Sequence, residues 1–384
     1  IGGAGADIID GGAGNDIISS TGALLTGLDT IAGGAGTDVL SMSDASTVID
    51  DDFANITSVE TFTQASGALT LTLGTAAAAA GIVTMIGTSA VDNITLGSGF
   101  TNSITITGNA GADIYDFTSY TKTATVATGA GAHGITLGTG TEKITGGSDV
   151  ETVQVAATAH LASSDVLTGG IGADVINFSA AATVTDAQFT NVTTFTTITS
   201  GNVILNLTLG AEAKEAGITI ITLGNAANVV NASAYLSTAL TITGGTSTDS
   251  IRGGTGNDIL SGGSGNDTYV FNATGALNGV DVITFVVAND KFDFSNMGTF
   301  TFSNTTEVAF GGTADVNITS KIILLVDATG AASTDQIAEI VIDLQGAGTA
   351  INLQSGGKAI IIAGNDIDAN DGAVIFLVDD SVGD

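Results

Sequence analysis

Between Gly244 and Val270 the chain divides into three consecutive nonapeptides, GGTSTDSIR, GGTGNDILS and GGSGNDTYV, and no other stretch constrains its fold as tightly. Each nonapeptide sets one aspartate, Asp249, Asp258 or Asp267, after a glycine-rich turn and before a short triplet with an apolar centre. Glycines at the first, second and fourth positions supply backbone angles that a side chain would forbid. The triplet is long enough for a minimal strand, with Ile251, Leu260 and Tyr269 pointing inward by the two-residue period. Two nonapeptides then make one coil of a parallel β-roll, and each turn lies beside the next but one, about 4.8 Å away. This register predicts that Asp249 stacks with Asp267 while Asp258 faces the opposite side. Carboxylates about 5 Å apart repel by about 3 kcal/mol at an effective dielectric near 20. A divalent cation between them removes that repulsion. Calcium suits the place, because it accepts about six to eight oxygen ligands in loose geometry and the turn offers backbone carbonyls beside its carboxylate.

The same turn recurs along the chain. Six GGxGxD strings begin at residues 2, 11, 33, 169, 253 and 262. Stacking by coil pairs Asp16 with Asp38, and pairs Asp7 with Asp29 across the insertion Ser20 to Ala23 and a degenerate nonapeptide. The candidate metal-binding residues are Asp7, Asp16, Asp29, Asp38, Asp174, Asp249, Asp258 and Asp267, with Gly253, Gly262, Asn257 and Asn266 from the same turns. The string GNAGAD at 108–113 stands alone and is read as a turn without a stacked partner. Residues 114–168, rich in Thr, Ala and Gly, carry only echoes of the pattern, such as GGSDVETV and SSDVLTGG, and read as solenoid whose turns mostly lack calcium.

A longer repeat overlies the short one. A shift of 136 residues aligns GGAGTDVL at 33–40 with GGIGADVI at 169–176, VIDDDFANIT with VTDAQFTNVT, and ITITG at 104–108 with LTITG at 240–244. Repeats on this scale imply stacked structural modules. Within each copy, AAAAAG at 76–81 and AEAKEAG at 211–217 are the best candidates for short helical turns, and the rest reads as strands. After Val270, Asp281, Asp290 and Asp293 fall in a segment suited to closing the roll, whose last coil would otherwise expose an open edge. From about residue 300 the runs KIILLVDA, AEIVIDLQ, KAIIIAG and AVIFLVDD read as a separate β domain, with Ser333 to Ala338 as a short helix. Asp366, Asp368 and Asn370 begin like an EF-hand loop, but Asp371 stands where the glycine belongs and Leu377 where the closing glutamate belongs.

Composition narrows the function. Seven basic against thirty-nine acidic residues give a formal charge of −32, which argues against nucleic-acid and acidic-membrane partners. Proline and cysteine are absent, so packing and metal must supply what disulfides would. Mean hydropathy is nevertheless +0.44, because Ala, Ile, Val and Leu alternate with Thr rather than with Lys or Glu. No run approaches the roughly 20 apolar residues of a membrane-spanning helix. The chain opens at Ile1 inside a repeat and reads as an ordered portion of a longer protein. No catalytic residues are assigned: His133 and His160 are the only histidines and neither sits in a zinc or triad context. Phenylalanines such as Phe53, Phe117, Phe178, Phe189, Phe271 and Phe285 read as core.

On these nonapeptides the chain resembles the RTX family over at least 2–41 and 169–294. Its acidic, cysteine-free, Thr/Ala/Gly-rich composition is similar to that of RTX-type surface-layer proteins of Gram-negative bacteria. The resemblance implies export by type I secretion through an uncleaved C-terminal signal, and folding in extracellular calcium. The expected fold is all-β, a calcium-binding parallel β-roll and solenoid followed by a β-rich end. Its parts are a roll at 1–45, solenoid units at 46–168 and 169–243, a second roll with its cap at 244–299, and a C-terminal domain at 300–384. The expected function is a secreted structural protein, not an enzyme, that binds several calcium ions and assembles with copies of itself into a surface layer, filament or matrix, with cell-surface polysaccharide as a further candidate partner. Two other readings stay open, the stalk of a large adhesin and the secretion module of an enzyme.

Overall fold

A computed structural model of the chain describes residues 3–272, 277–279, 281–284, 290–293 and 295–297, together with the backbone of five strands beyond residue 322. The EF-hand-like loop at Asp366, the short helix expected at Ser333 to Ala338, Phe285 and most of the expected C-terminal domain lie outside the described residues. The fold is all-β, a parallel solenoid with little helix, and the chain divides into two compact units.

The first unit comprises Ile1–Val203 and Glu215–Ile218. Its nine-stranded sheet runs through Ile17–Ser20, Val39–Met42, Thr61–Gln64, Thr84–Ile86, Ile104–Thr107, Thr123–Ala127, Thr141–Thr145, Val166–Thr168 and Val192–Thr193. A second parallel sheet takes the alternate strands from Ser46–Val48 to Phe195–Ser200, and a short third sheet pairs Ile8–Asp10, Thr30–Ala32 and Ile56–Thr57. Because side chains alternate across a strand, every second residue enters the core, and the parallel register lines these residues up from coil to coil. Leu40, Phe62, Met85, Ile106, Val126, Ile144 and Leu167 form one such buried column. Leu71, Ile94, Tyr115, Ile135, Val153, Ile176 and Ile198 form another. Each such burial contributes about 1.5–3 kcal/mol before the entropy of ordering is counted.

The second unit comprises Ile204–Lys214 and Thr219–Asp384. Leu205–Thr208, Val229–Asn231, Ser250–Arg252, Thr268–Val270 and Lys291–Asp293 form one parallel ladder, and Ile220–Thr222, Thr241–Thr243, Ile259–Ser261 and Asp281–Thr284 form the other. The coils of the tandem nonapeptides take eighteen residues, with Ile251 beside Tyr269 and Ile242 beside Leu260, while the flanking coils are longer, twenty-one residues from Val230 to Ile251 and twenty-three from Leu260 to Ile283. The parallel ladder ends where Gly372–Asp379 pairs antiparallel with Asp281–Thr284, so the edge of that strand is covered.

The 136-residue repeat extends to fine structure. The 3-10 turns Asp50–Phe53 and Asp186–Phe189 correspond, as do the α-helices Thr75–Ala80 and Ala211–Ala216. Ser58 and Thr194 both take positive φ, 55° and 62°. The Asn55 side-chain amide donates to the Gly27 carbonyl at 2.8 Å, and the Asn191 amide to the Ser163 carbonyl at 2.8 Å. The phenylalanines expected in the core, Phe53, Phe117, Phe178, Phe189 and Phe271, are buried.

Three glycines separate the demands a coil makes. Gly134 has no positive φ and open space around a β-carbon, Gly12 has φ 90° with the same open space, and Gly34 has φ 104° with the main chain of Gly12 where a β-carbon would go. Gly134→Ala is expected to change stability by no more than about 0.5 kcal/mol, Gly12→Ala to lose about 1 kcal/mol, and Gly34→Ala to lose about 3 kcal/mol or more, as read by chemical denaturation.

Candidate metal-binding turns

Every motif turn ends in an aspartate at the start of a strand, immediately before it or, for Asp174, as its first residue, and the parallel register stacks that position from coil to coil. Asp249 and Asp267 are neighbours: the Asp249 N–H donates to Asp267 Oδ1 at 2.8 Å. Asp258 lies in the other ladder, where its Oδ1 accepts the Leu240 N–H at 2.8 Å and its own N–H donates to Asp281 Oδ1 at 2.9 Å. At the N-terminal end the Asp7 N–H reaches Asp29 Oδ1 at 3.0 Å, and the Asp16 N–H reaches Asp38 Oδ1 at 2.8 Å. One rule covers them all: the main-chain N–H at the aspartate position of one coil donates to the carboxylate at the same position of the next.

The second carboxylate oxygen turns back into its own turn. Asp249 Oδ2 accepts the Gly245 N–H at 3.0 Å, and Asp258 Oδ2 accepts the Gly254 N–H at 2.8 Å. Such a fold-back leaves no space at the first glycine, where a β-carbon on Gly253 would lie 2.5 Å from Asp258 Oδ2. Gly262 is crowded by the Asp267 carboxylate in the same way. Asn257 and Asn266, in contrast, are exposed, while the aspartates that follow them are buried.

The columns contain residues that the motif does not mark. Glu60 Oε2 accepts the Asp38 N–H at 2.8 Å, Asp92 Oδ1 the Leu69 N–H at 2.9 Å, and Asn228 Oδ1 the Leu205 N–H at 2.9 Å. Asp165 and Asp290 do the same for Glu142 and Asp267, and the motif's own Asp174 does so for the unmarked Glu151. The turn at 108–113 is not solitary: the Asp92 N–H donates to Asp113 Oδ1 at 2.9 Å, and the Asp113 N–H donates to His133 Nδ1 at 3.2 Å. The motif does not mark its neighbours, because GTSAVD at 87–92 and TGAGAH at 128–133 lack the paired glycines, although both place a polar side chain at the start of a strand. His133 is itself the sixth residue of its turn and is buried in the column.

Stacked burial raises carboxyl pKa values. Burial pushes Asp281 up to about 8 and Asp267 up to about 6, the second helped by the charges of Asp290 and Asp249. Glu151 rises to about 7, first through burial and then through Asp174. Burial lowers the pKa of His133. Burial is the first cause of each rise, and the one histidine–carboxylate approach among the described residues, His133 Nδ1 to Asp113 Oδ2 at 3.6 Å, is no ion pair while that nitrogen accepts the Asp113 N–H and burial lowers the imidazole pKa.

The turns fit a hard cation. Oδ2 of Asp16, Asp38, Asp174 and Asp267 is buried without a hydrogen-bond partner, so the motif turns keep a charged oxygen in reserve. No three acidic or histidine side chains converge among the described residues, so a cation there draws the remaining oxygens from main-chain carbonyls of the glycine turns. That all-oxygen set favours calcium over zinc or copper.

Comparison with known proteins agrees with this chemistry. Residues 1–22, 25–41, 161–180 and 241–271 match the family model of the RTX calcium-binding nonapeptide repeat in four copies. No curated protein matches the chain.

The sign of the pKa shifts sets the behaviour without metal. Carboxyls raised in the folded state add stability that is complete below their unfolded values near 4 and is lost as pH rises through about 6 to 8. In chelator, the melting temperature by calorimetry is therefore expected to fall from pH 5 to pH 8, and calcium is expected to reverse the trend.

Proposed function

Because the chain carries RTX calcium-binding nonapeptide repeats, a calcium-binding and non-catalytic module of proteins exported by type I secretion, we propose that it is a structural protein that folds outside the cell and assembles with copies of itself into a surface layer or filament. In low calcium the stacked carboxylates repel and the glycines lose more backbone entropy than any other residue on folding, so the roll is disfavoured. In extracellular calcium, binding to the folded turns adds directly to folding free energy. The chain can thus cross the membrane unfolded and set on arrival.

The observation that favours assembly is the outer surface of the first unit. In the nine-stranded sheet the outward positions are mostly threonine, including Thr61, Thr63, Thr84, Thr105, Thr107 and Thr125, and Lys143 is the only charged residue among them. In the second sheet Asp116 is the only charged outward residue, amid Thr70, Thr72, Thr95, Thr136 and Thr152. A chain of charge −32 thus hides many of its carboxylates in turns and leaves two sheet faces that a second copy can approach without repulsion. Regular β-branched rows also present a flat surface, and flat sheet faces pack well. Among the described residues no helix is long and apolar enough to cross a membrane.

A calcium titration followed by circular dichroism and light scattering is expected to show a cooperative gain of β signal and then growth in particle size. An unchanged spectrum after chelation would sink the reading. Thr105→Glu, at an exposed outward position, is expected to keep the calcium-induced spectrum and lose the scattering. Electron microscopy separates the rival: a lattice or filament supports self-assembly, and a lone extended particle supports an adhesin stalk.

A further inference from the structure

The two long sheets of the first unit enclose its core between them, so their outward rows point away from each other. Each outward face carries a single charge on its strands. On the nine-stranded sheet it is Lys143, exposed and in register between Thr125 and Val166. On the second sheet it is Asp116, half-buried and in register between Thr95 and Thr136. Asp116 Oδ1 accepts the Thr118 N–H at 2.9 Å, which fixes the carboxylate at the end of its strand. Among the described residues neither side chain forms an ion pair.

One charge per face, of opposite sign, limits how two copies can meet. Packed against its own kind, the nine-stranded face buries two lysines and offers them no carboxylate among its outward strand residues. The second face packed against its own kind buries two carboxylates with no cation. A buried charge without a partner is costly, and only unlike faces give each one a partner. The faces are also large enough. Nine strands about 4.8 Å apart and about four residues long, at about 3.3 Å per residue, offer about 500 Å². Two copies in contact would bury about 1,000 Å² together, the lower bound of a specific interface.

We propose that the outward face of the nine-stranded sheet of one copy docks on the outward face of the second sheet of the next, with Lys143 paired to Asp116 across the contact. This pairing rests on the self-assembly proposed above and gives it a direction. Unlike faces on opposite sides of a copy make a heterologous contact, so each added copy leaves one face of each kind free and growth continues. The threonine rows around the pair supply flat, uncharged contact, and the single pair sets which face meets which.

Zero-length carbodiimide cross-linking of the full chain assembled in calcium, read by peptide mass spectrometry, tests the pairing without any substitution. Lys143 and Asp116 lie on opposite faces of one copy, so an amide between them joins two copies. That link is expected, and its absence from a chain that has assembled overturns the proposal. Charge reversal is the second arm. Lys143→Glu and Asp116→Lys are each expected to raise the concentration at which calcium-induced scattering begins by at least about tenfold. Asp116→Lys moves the net charge toward zero, so general repulsion between copies would give the opposite result. An equimolar mixture of the two variants is expected to assemble as the unsubstituted chain does, because each then offers a cation to a carboxylate of the other. Lys122→Glu makes the same charge change at an exposed residue just before the strand Thr123–Ala127 and is expected to have no such effect. Single variants that assemble like the unsubstituted chain, or a mixture as poor as its components, overturn the pairing and leave self-assembly standing. An unsubstituted chain that gains β signal in calcium without growth in particle size removes both.

Discussion

The hydrogen bond from the main-chain N–H of one turn to the carboxylate of the next coil is the contact on which the rest of the molecule depends. Strand ladders alone would tolerate slippage along a strand, but a buried carboxylate accepts one particular N–H, as Asp267 accepts that of Asp249. The same contact brings like charges within one strand spacing of each other. Register and repulsion therefore have a single origin, and a fold built this way is tied to whatever neutralises the column.

In the proposed function, that tie is what makes the folding of a chain with so many apolar residues conditional. The core columns, such as Leu40 to Leu167 in the first unit, supply hydrophobic burial one residue per coil. A coil contacts only its neighbours, so stability accumulates by nearest-neighbour terms rather than around one centre. Against each increment stand glycine entropy and a buried carboxylate. On the function proposed above, metal binding tips this balance, and the concentration difference between the inside and the outside of a cell acts as the switch. The charge drawn into the turns also explains why the outer sheet faces are left to threonine.

Parts of the column were plain in the amino-acid order. Asp249, Asp258 and Asp267 follow paired glycines at fixed spacing, and from that spacing alone the first and third fall in one ladder and the second in the other, as found. Glu60, Asp92, Asp165, Asn228 and His133 were not legible, because their turns lack the double glycine and their coils run to about twenty residues or more rather than eighteen. A signal did exist: each is a polar residue set just before a strand whose next residues alternate. That signal is weak alone, since the same arrangement occurs in any turn that leads into a strand. It acquires meaning only when the neighbouring coil is known.

What the sequence determined by itself was the local grammar: where glycine permits a turn, where alternation makes a strand, which residues face inward, and that the repeats bind calcium. These follow from steric and periodic rules acting over nine residues or fewer. What only the tertiary structure decided was which turn stands beside which. Coil length varies in the first unit, and a difference of one or two residues in a loop changes the partner without changing any local pattern. The pairing of Asp113 with His133, and of Glu142 with Asp165, is set by how the whole coil closes on its core. The chemistry of a column belongs to neighbours some twenty residues apart, and that distance is spanned by packing rather than by sequence.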